Sequence, residues 1–303
     1  MVRQIRPNAR RRRARRALGI LALLATPPAA IGCAHSSPPP LSAIAGEHMH
    51  ARLVADAREL IPGTRHLIGV LFTPDPGWHT YGNLRSDSGL PLLLRPSAPP
   101  GYTFEAAVWP APERLVSSGS ILDDVYTHEV TILLPLEVPA DAPAGGTVTL
   151  RCHVEWLVCN TGCIPGQGEL ALTLPVGRAG ERIRLSADEV HIRRALARVP
   201  VAPELMASDA TLSWKGDAWE AHVPGASGLA FLADTTCAPL ADPIADGSSA
   251  TDRLHLRLAP EARGDLRLAG VLEVKASREE HFYRIDSPRT PAASTAVSAG
   301  SNP

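Results

Sequence analysis

Thr147-Val-Thr-Leu-Arg-Cys-His-Val-Glu-Trp-Leu-Val158, then Cys159-Asn-Thr-Gly-Cys163, then Glu169-Leu-Ala-Leu-Thr-Leu-Pro175 after a short link, is the stretch on which the reading of this sequence turns. Apolar and polar residues alternate along Leu150–Val158, the period-two signature of a half-buried strand, and Glu169 opens a second such run. Between them Asn160-Thr161-Gly162 forms a three-residue loop ending in glycine, which predicts a hairpin with that glycine left-handed. Such a hairpin sets Cys159 opposite Cys163. Directly opposed residues have Cα atoms about 4.5–5.5 Å apart, inside the roughly 4.4–6.8 Å that a disulfide spans.

A disulfide closing so short a loop gains little from chain entropy, and labile bonds of this kind are the catalytic ones. The spacing therefore favours a pair that cycles between thiol and disulfide. A permanently oxidised hairpin clip is the structural alternative. A third reading is a soft-metal site for copper or zinc built from Cys152, His153 and the CxxxC pair. Strand alternation opposes it, because His153 and Cys152 point to opposite faces. The same parity places Cys152, seven residues before Cys159, on the other face of the sheet, as a buried free thiol. A pairing of Cys152 with Cys237 has no support in the sequence.

Outward from the hairpin, further short β segments are predicted at His50–Asp56, His66–Phe72, Thr103–Trp109 and Val125–Leu134. Turn formers such as Asp75-Pro76-Gly77 and Ala98-Pro-Pro-Gly101 separate them. Strands at this spacing predict an all-β chain, an immunoglobulin-like β-sandwich over residues 48–176. Past Gly177 the pattern shifts. Ser186-Ala-Asp-Glu189 has the form of a capping box and predicts a helix over Ala187–Arg198. Segments at Ala210–Trp214, Ala218–Val223, Leu254–Leu258 and Leu268–Val274 then predict a second, smaller β domain over 177–286. A Ser-, Ala-, Thr- and Pro-rich tail at 287–303 is expected to be disordered.

The leader is separate from the fold. Met1–Arg16 carries eight arginines and no acid, and Ala17–Ala25 is an apolar run of signal-peptide length. It is shorter than the ~20 residues a membrane-spanning helix needs. Ala30-Ile31-Gly32-Cys33 follows and resembles a lipobox, with Cys33 as the acylated residue. Ordinary cleavage near Ala29-Ala30 or Gly32 is the alternative. Residues 34–47 read as a flexible tether. This organisation predicts a periplasmic lipoprotein held at the membrane by a lipid. Without the leader's eight arginines, 22 basic residues face 31 acidic ones, a net charge of about −9. That excludes nucleic acid as a partner, since it rewards dense basic surface.

Trp156-Leu-Val-Cys-Asn-Thr-Gly-Cys-Ile-Pro165 resembles the cysteine hairpin of the amino-terminal periplasmic domain of the thiol:disulfide interchange protein DsbD, in the branch that includes ScsB. Gly77-Trp-His-Thr-Tyr81, Asp87-Ser-Gly-Leu-Pro91, Val108-Trp-Pro-Ala-Pro-Glu113 and Tyr126 leading into Val130-Thr-Ile-Leu-Leu-Pro135 resemble further blocks of that branch. The resemblance implies thiol–disulfide exchange through Cys159 and Cys163. Cys163 would be the thiol that links to partners and Cys159 the resolving one. It implies as partners a membrane thiol-electron conduit or a thioredoxin-like protein on one side, and oxidised periplasmic proteins on the other. No cofactor is required. Neither a conduit nor a thioredoxin-like segment is visible in the sequence, so the electrons would come from a separate protein. The family covers its cysteines with a loop bearing an aromatic residue, whereas the matching stretch here, Arg114-Leu-Val-Ser-Ser-Gly119, has none. Tyr126 is the candidate substitute, with Trp156 and Pro165 as further neighbours of the pair.

Other signals carry less. Asp87-Ser88-Gly89 resembles a protease serine motif, but His79 lies too close in sequence for that arrangement. Trp78 and His79 are read as packing residues, and Asp123-Asp124 as a solvated turn.

Overall fold

The computed structural model describes residues 42–289, apart from 119, 265 and 278; the leader, Cys33 and the segment beyond 289 lie outside the described residues. In chain order the first strands are β1 (Ala43–Gly46), β2 (Met49–Ala55), β3 (Arg65–Pro74), β4 (His79–Tyr81), β5 (Leu93–Ser97) and β6 (Thr103–Phe104). They continue as β7 (Glu113–Ser117), β8 (Ile121–Tyr126), β9 (Val130–Glu137), β10 (Thr147–Cys159) and β11 (Cys163–Pro175). Helix α1 (Glu189–Leu196) separates these from β12 (Thr211–Lys215), β13 (Ala218–His222), β14 (Gly228–Ala233), β15 (Ser248–Ser249), β16 (Arg253–Arg257), β17 (Arg267–Ala276) and β18 (Glu279–Pro288).

The first eleven strands form an immunoglobulin-like sandwich. One sheet has the order β1-β2-β3-β9-β6, and the other β11-β10-β4-β8-β7 with β5 also paired to β10. Alternate residues of the long strands, among them Val148, Leu150, Cys152, Val154 and Trp156, point into the core between the sheets. They meet Ile68, Val70, Phe72, Ile132 and Leu134 from the facing sheet. Strand β9 is apolar on both faces because both are covered. Its Ile132 and Leu134 face the sandwich core, while Leu133 joins Val54 and Leu71 against Ile192 and Ala195 of α1. Gly69 makes room for this helix. A Cβ there would lie 2.3 Å from Thr131 Cγ2 and 3.0 Å from Ile192 Cδ1.

Several local expectations change. Val125–Leu134 is not one strand. The chain leaves β8 in one sheet and enters β9 in the other, so Thr127-His128-Glu129 is the crossing between sheets. Thr103–Trp109 contributes the two-residue β6 and an isolated bridge from Val108 to Leu133. The capping box does not form. The helix begins after Asp188, and the Ser186 hydroxyl instead donates to the Ala55 carbonyl while accepting from the Asp188 N–H. Within the stretch expected to be tether, Ala43–Gly46 pairs with Met49–Arg52 as β1. At the other end β18 runs through Ser287 and Pro288, which pair with Leu268 and Arg267.

The remaining strands form two sheets, β12-β13-β16 and β15-β14-β17-β18. They enclose a second core that includes Trp219, Phe231, Leu256, Leu272 and Cys237. This lobe packs on the sandwich through Ala111, Leu232, Val271 and Phe282. The Arg198 guanidinium lies 4.5 Å over the Phe282 ring and donates to Glu280 at 2.9 Å. Arg114 donates to the Pro243 and Ile244 carbonyls at 2.7 and 2.8 Å.

Candidate functional site

Strands β10 and β11 pair in unbroken register from Thr147 opposite Pro175 to Cys159 opposite Cys163. At the tip Cys159 and Cys163 form a disulfide with Cα atoms 4.1 Å apart. The turn differs from the expected left-handed glycine. The residues with positive φ do not include Gly162, and the Asn160 N–H donates to the Gly162 carbonyl at 3.0 Å. That bond carries the pairing one step beyond the cysteines and leaves Thr161 alone at the apex.

The two half-cystines differ in environment. Cys159 is 2% exposed, whereas Cys163 is exposed. Cys159 clusters with Tyr81 and Val125, with Leu115 and Leu157 packed alongside. Cys152 points the other way, into the sandwich core, fully buried and free. Burial pushes its thiol up to about 12. Cys237 is free and buried in the second core, and burial raises its thiol as well. No group of three or more His, Cys, Asp and Glu is arranged to hold a metal ion among the described residues.

Strand β4 lies beside the tip. His79 stands opposite Cys159 and Thr80 opposite Val158, and the Thr80 hydroxyl donates to the Leu157 carbonyl at 2.9 Å. Burial holds His79 below the usual imidazole value, and the negative charge of Asp123 partly offsets this. From His79 a polar chain runs inward. His79 Nε2 lies 3.4 Å from the Tyr81 hydroxyl, and that hydroxyl lies 3.4 Å from Ser88 Oγ. Ser88 donates from both Oγ, at 2.6 Å, and its backbone N–H, at 2.8 Å, to the Asp123 carboxylate. Gly89 closes the loop over the Tyr81 ring. Its φ is +72°, and a Cβ would fall 2.1 Å from Tyr81 Cζ.

The residues expected around the pair are placed differently from one another. Tyr126 is buried in the sandwich core, and its hydroxyl donates to the Pro110 carbonyl at 2.7 Å. Burial raises its phenol far above the ordinary value. Trp156 also faces that core, edge-on to Phe72. Pro165 stands opposite Leu157, one same-face step below the disulfide. With Leu90, Pro91 and Gly166 these residues line an open groove of about 620 Å³. The side chains covering Cys159 are instead Tyr81 and Leu115. Leu115 belongs to the very stretch that lacks an aromatic. Asp123 and Asp124 are not a solvated turn: each is 3% exposed within β8. Trp78 stacks on His48 with ring centroids 3.9 Å apart.

Residues 50–175 match the family described as thiol:disulfide interchange protein DsbD, N-terminal. Among solved structures, the amino-terminal periplasmic domain of ScsB from Proteus mirabilis matches with 17% identity and a TM-score of 0.55. The match covers 82% of this chain and 98% of that one, so both lobes share its fold. The Neisseria meningitidis DsbD amino-terminal domain in the reduced form matches with 15% identity, covering 45% of this chain and 88% of that one, with a TM-score of 0.26. Among curated protein sequences, none matches this chain. With the hairpin disulfide at the tip of its immunoglobulin-like sandwich, the segment 50–175 is a domain of the family of the amino-terminal domain of the thiol:disulfide interchange protein DsbD.

Proposed function

We propose that this chain is an extracytoplasmic thiol–disulfide exchange protein that passes reducing equivalents to oxidised periplasmic proteins. The observation that carries this is the asymmetry of the pair: an exposed Cys163 joined to a buried Cys159 at a hairpin tip. An incoming thiolate reaches Cys163 Sγ. A new sulfur–sulfur bond forms there, the Cys159–Cys163 bond breaks, and its electron pair leaves on Cys159. A second thiol from the donor then releases Cys163 as the free dithiol. In the onward direction the Cys163 thiolate attacks a partner disulfide, and Cys159 resolves the mixed disulfide. The donor in this reading is a membrane thiol conduit or a thioredoxin-like protein. The arginine-rich leader and Cys33 support export and lipid anchoring on the periplasmic side.

The test is the reduction potential of the pair together with trapping in cells. A potential above about −300 mV, and a Cys159→Ser variant that accumulates mixed disulfides through Cys163, are the expected results. A potential below that value with no trapped partner would identify a structural clip and sink the proposal.

A further inference from the structure

The polar chain behind the disulfide has a defined direction. The Ser88 hydroxyl has one hydrogen, and it goes to the Asp123 carboxylate. Ser88 Oγ can therefore meet the Tyr81 hydroxyl only as an acceptor, so Tyr81 donates to it. The Tyr81 oxygen is then left to accept from His79, which places the imidazole proton on Nε2. Nδ1 is left with a free lone pair. His79 stands directly opposite Cys159 in the β4–β10 ladder, so the two side chains project from the same face of the sheet.

We propose that His79 is the proton acceptor for Cys159 when that thiol resolves a mixed disulfide, and that Tyr81, Ser88 and Asp123 are positioning residues that fix its tautomer. This rests on Cys159 being the resolving thiol. In the step, the Cys159 thiol gives its proton to Nδ1, and its sulfur electron pair forms the bond to Cys163 Sγ. The bond from Cys163 Sγ to the partner sulfur breaks, and that electron pair leaves on the partner as a thiolate. The partner is reduced, the cysteine pair is oxidised, and the imidazolium passes its proton to the departing thiolate or to water. The need for such an acceptor follows from the site. A thiol packed with Tyr81 and Val125 is disfavoured as a thiolate, and the thiolate is the nucleophile. The imidazolium formed in the step is a cation that the negative charge of Asp123 favours. Other titratable groups on this face are Tyr81 on the same strand, Cys159 on β10, Cys163 on β11 and Glu113 on β7, and further along β10 Glu155 and His153, which are engaged with Arg95 and Glu169. Glu113 is engaged with Thr127 and His128.

The experiment uses the full chain carrying Cys33→Ser, reduced and mixed with 5,5′-dithiobis(2-nitrobenzoate). Cys163 attacks first and releases one thionitrobenzoate, and Cys159 then displaces the second. The first-order rate constant of the second phase reads the resolving step, and the first phase, which follows the ionisation of Cys163, is the internal control. In the unaltered site this rate constant is expected to be flat from about pH 6.5 to 8, because a neutral imidazole takes the proton throughout. In His79→Gln it is expected to fall by about 10²-fold near pH 7. It should then climb about tenfold per pH unit, as the thiol must ionise unaided. Ser88→Ala leaves the imidazole in place and is expected to give a smaller loss in the same direction. A His79→Gln second-phase rate constant equal to that of the unaltered site, or one lowered with no change in pH slope, overturns the proposal. Absence of the first phase, or a mixed disulfide mapped to Cys159, would refute the exchange reading itself and is distinguishable from either.

Discussion

Replacing Asp124 with asparagine should flatten the pH dependence of stability. The carboxyl sits on β8 at 3% exposure, beside a cavity of about 110 Å³ between the lobes that Arg85, Asp87, Leu122, Leu232 and Pro243 also line. Arg114, the cation that attracts it, donates to the Pro243 and Ile244 carbonyls. Desolvation therefore outweighs the attraction to Arg114, and Asp123 and Asp87 add repulsion, so the carboxyl is pushed up from 3.8 to about 8. Below about pH 4 it is protonated in both folded and unfolded chains and contributes no slope. Between about 4 and 8 the unfolded chain ionises and the folded one does not, so stability falls as pH rises. The loss is about 1.4 kcal/mol per pH unit, and above about pH 8 it is complete. From pH 4 to 7 the difference between the unaltered chain and Asp124→Asn should thus change by roughly 4 kcal/mol. Asparagine keeps the shape and both backbone hydrogen bonds, to Ser86 Oγ and from Gly82 N–H. Urea unfolding followed by tryptophan fluorescence at several pH values measures it. Parallel stability profiles for the two chains would refute the reasoning, since they would mean that the carboxyl is ionised in the fold and balanced by Arg114.

Gly89→Ala forces a side chain into the left-handed region and into the Tyr81 ring, so a loss of at least about 2 kcal/mol is expected. The thermal midpoint should fall, and Cys159 in the reduced protein should alkylate faster; an unchanged midpoint would show that the loop does not rest on the ring as placed. Cys152, with its thiol at about 12, and Cys237 should resist iodoacetamide at pH 8 until the chain is unfolded. Mass mapping of labelled native protein checks this, and rapid native labelling at either position would contradict the placement.

The sandwich was legible because its strands announce themselves locally. β10 alternates cleanly, with Val148, Leu150, Cys152, Val154 and Trp156 all turned inward. The cysteine pair was legible for the same reason, since its partners are four residues apart. Two central features were not. β14, Gly-Leu-Ala-Phe-Leu-Ala, has no alternation because both its faces are buried: Leu229 and Phe231 in the second core, Leu232 against the sandwich. β18 was hidden by its charges, Glu279, Glu280, Arg284 and Asp286, which flank the buried Phe282 and Ile285. At the site, His79, Tyr81, Ser88 and Asp123 come from β4, β8 and the loop between β4 and β5. Each alone reads as a packing residue or a turn. Only the β4–β8 and β4–β10 pairings bring them together.

Those pairings also explain how Cys159 is covered although the Arg114–Ser118 stretch carries no aromatic side chain. The β7–β8 hairpin alternates between two tasks. Leu115 and Asp123, which stand opposite one another, face the disulfide side, and Arg114 and Asp124, the next pair, face the second lobe. The loop after β4 does the same along its length. The Arg85 N–H donates to the Ala233 carbonyl of β14, the Asp87 carboxylate accepts from the Leu122 N–H, and Gly89 lies on Tyr81. Every element over Cys159 is therefore also fastened to the second lobe or to a strand that is. In an isolated sandwich, a small side chain such as Leu115 would leave the cover dependent on one loop. Here the second lobe holds the β7–β8 hairpin and the Arg85–Gly89 loop in place, and a tyrosine and a leucine suffice.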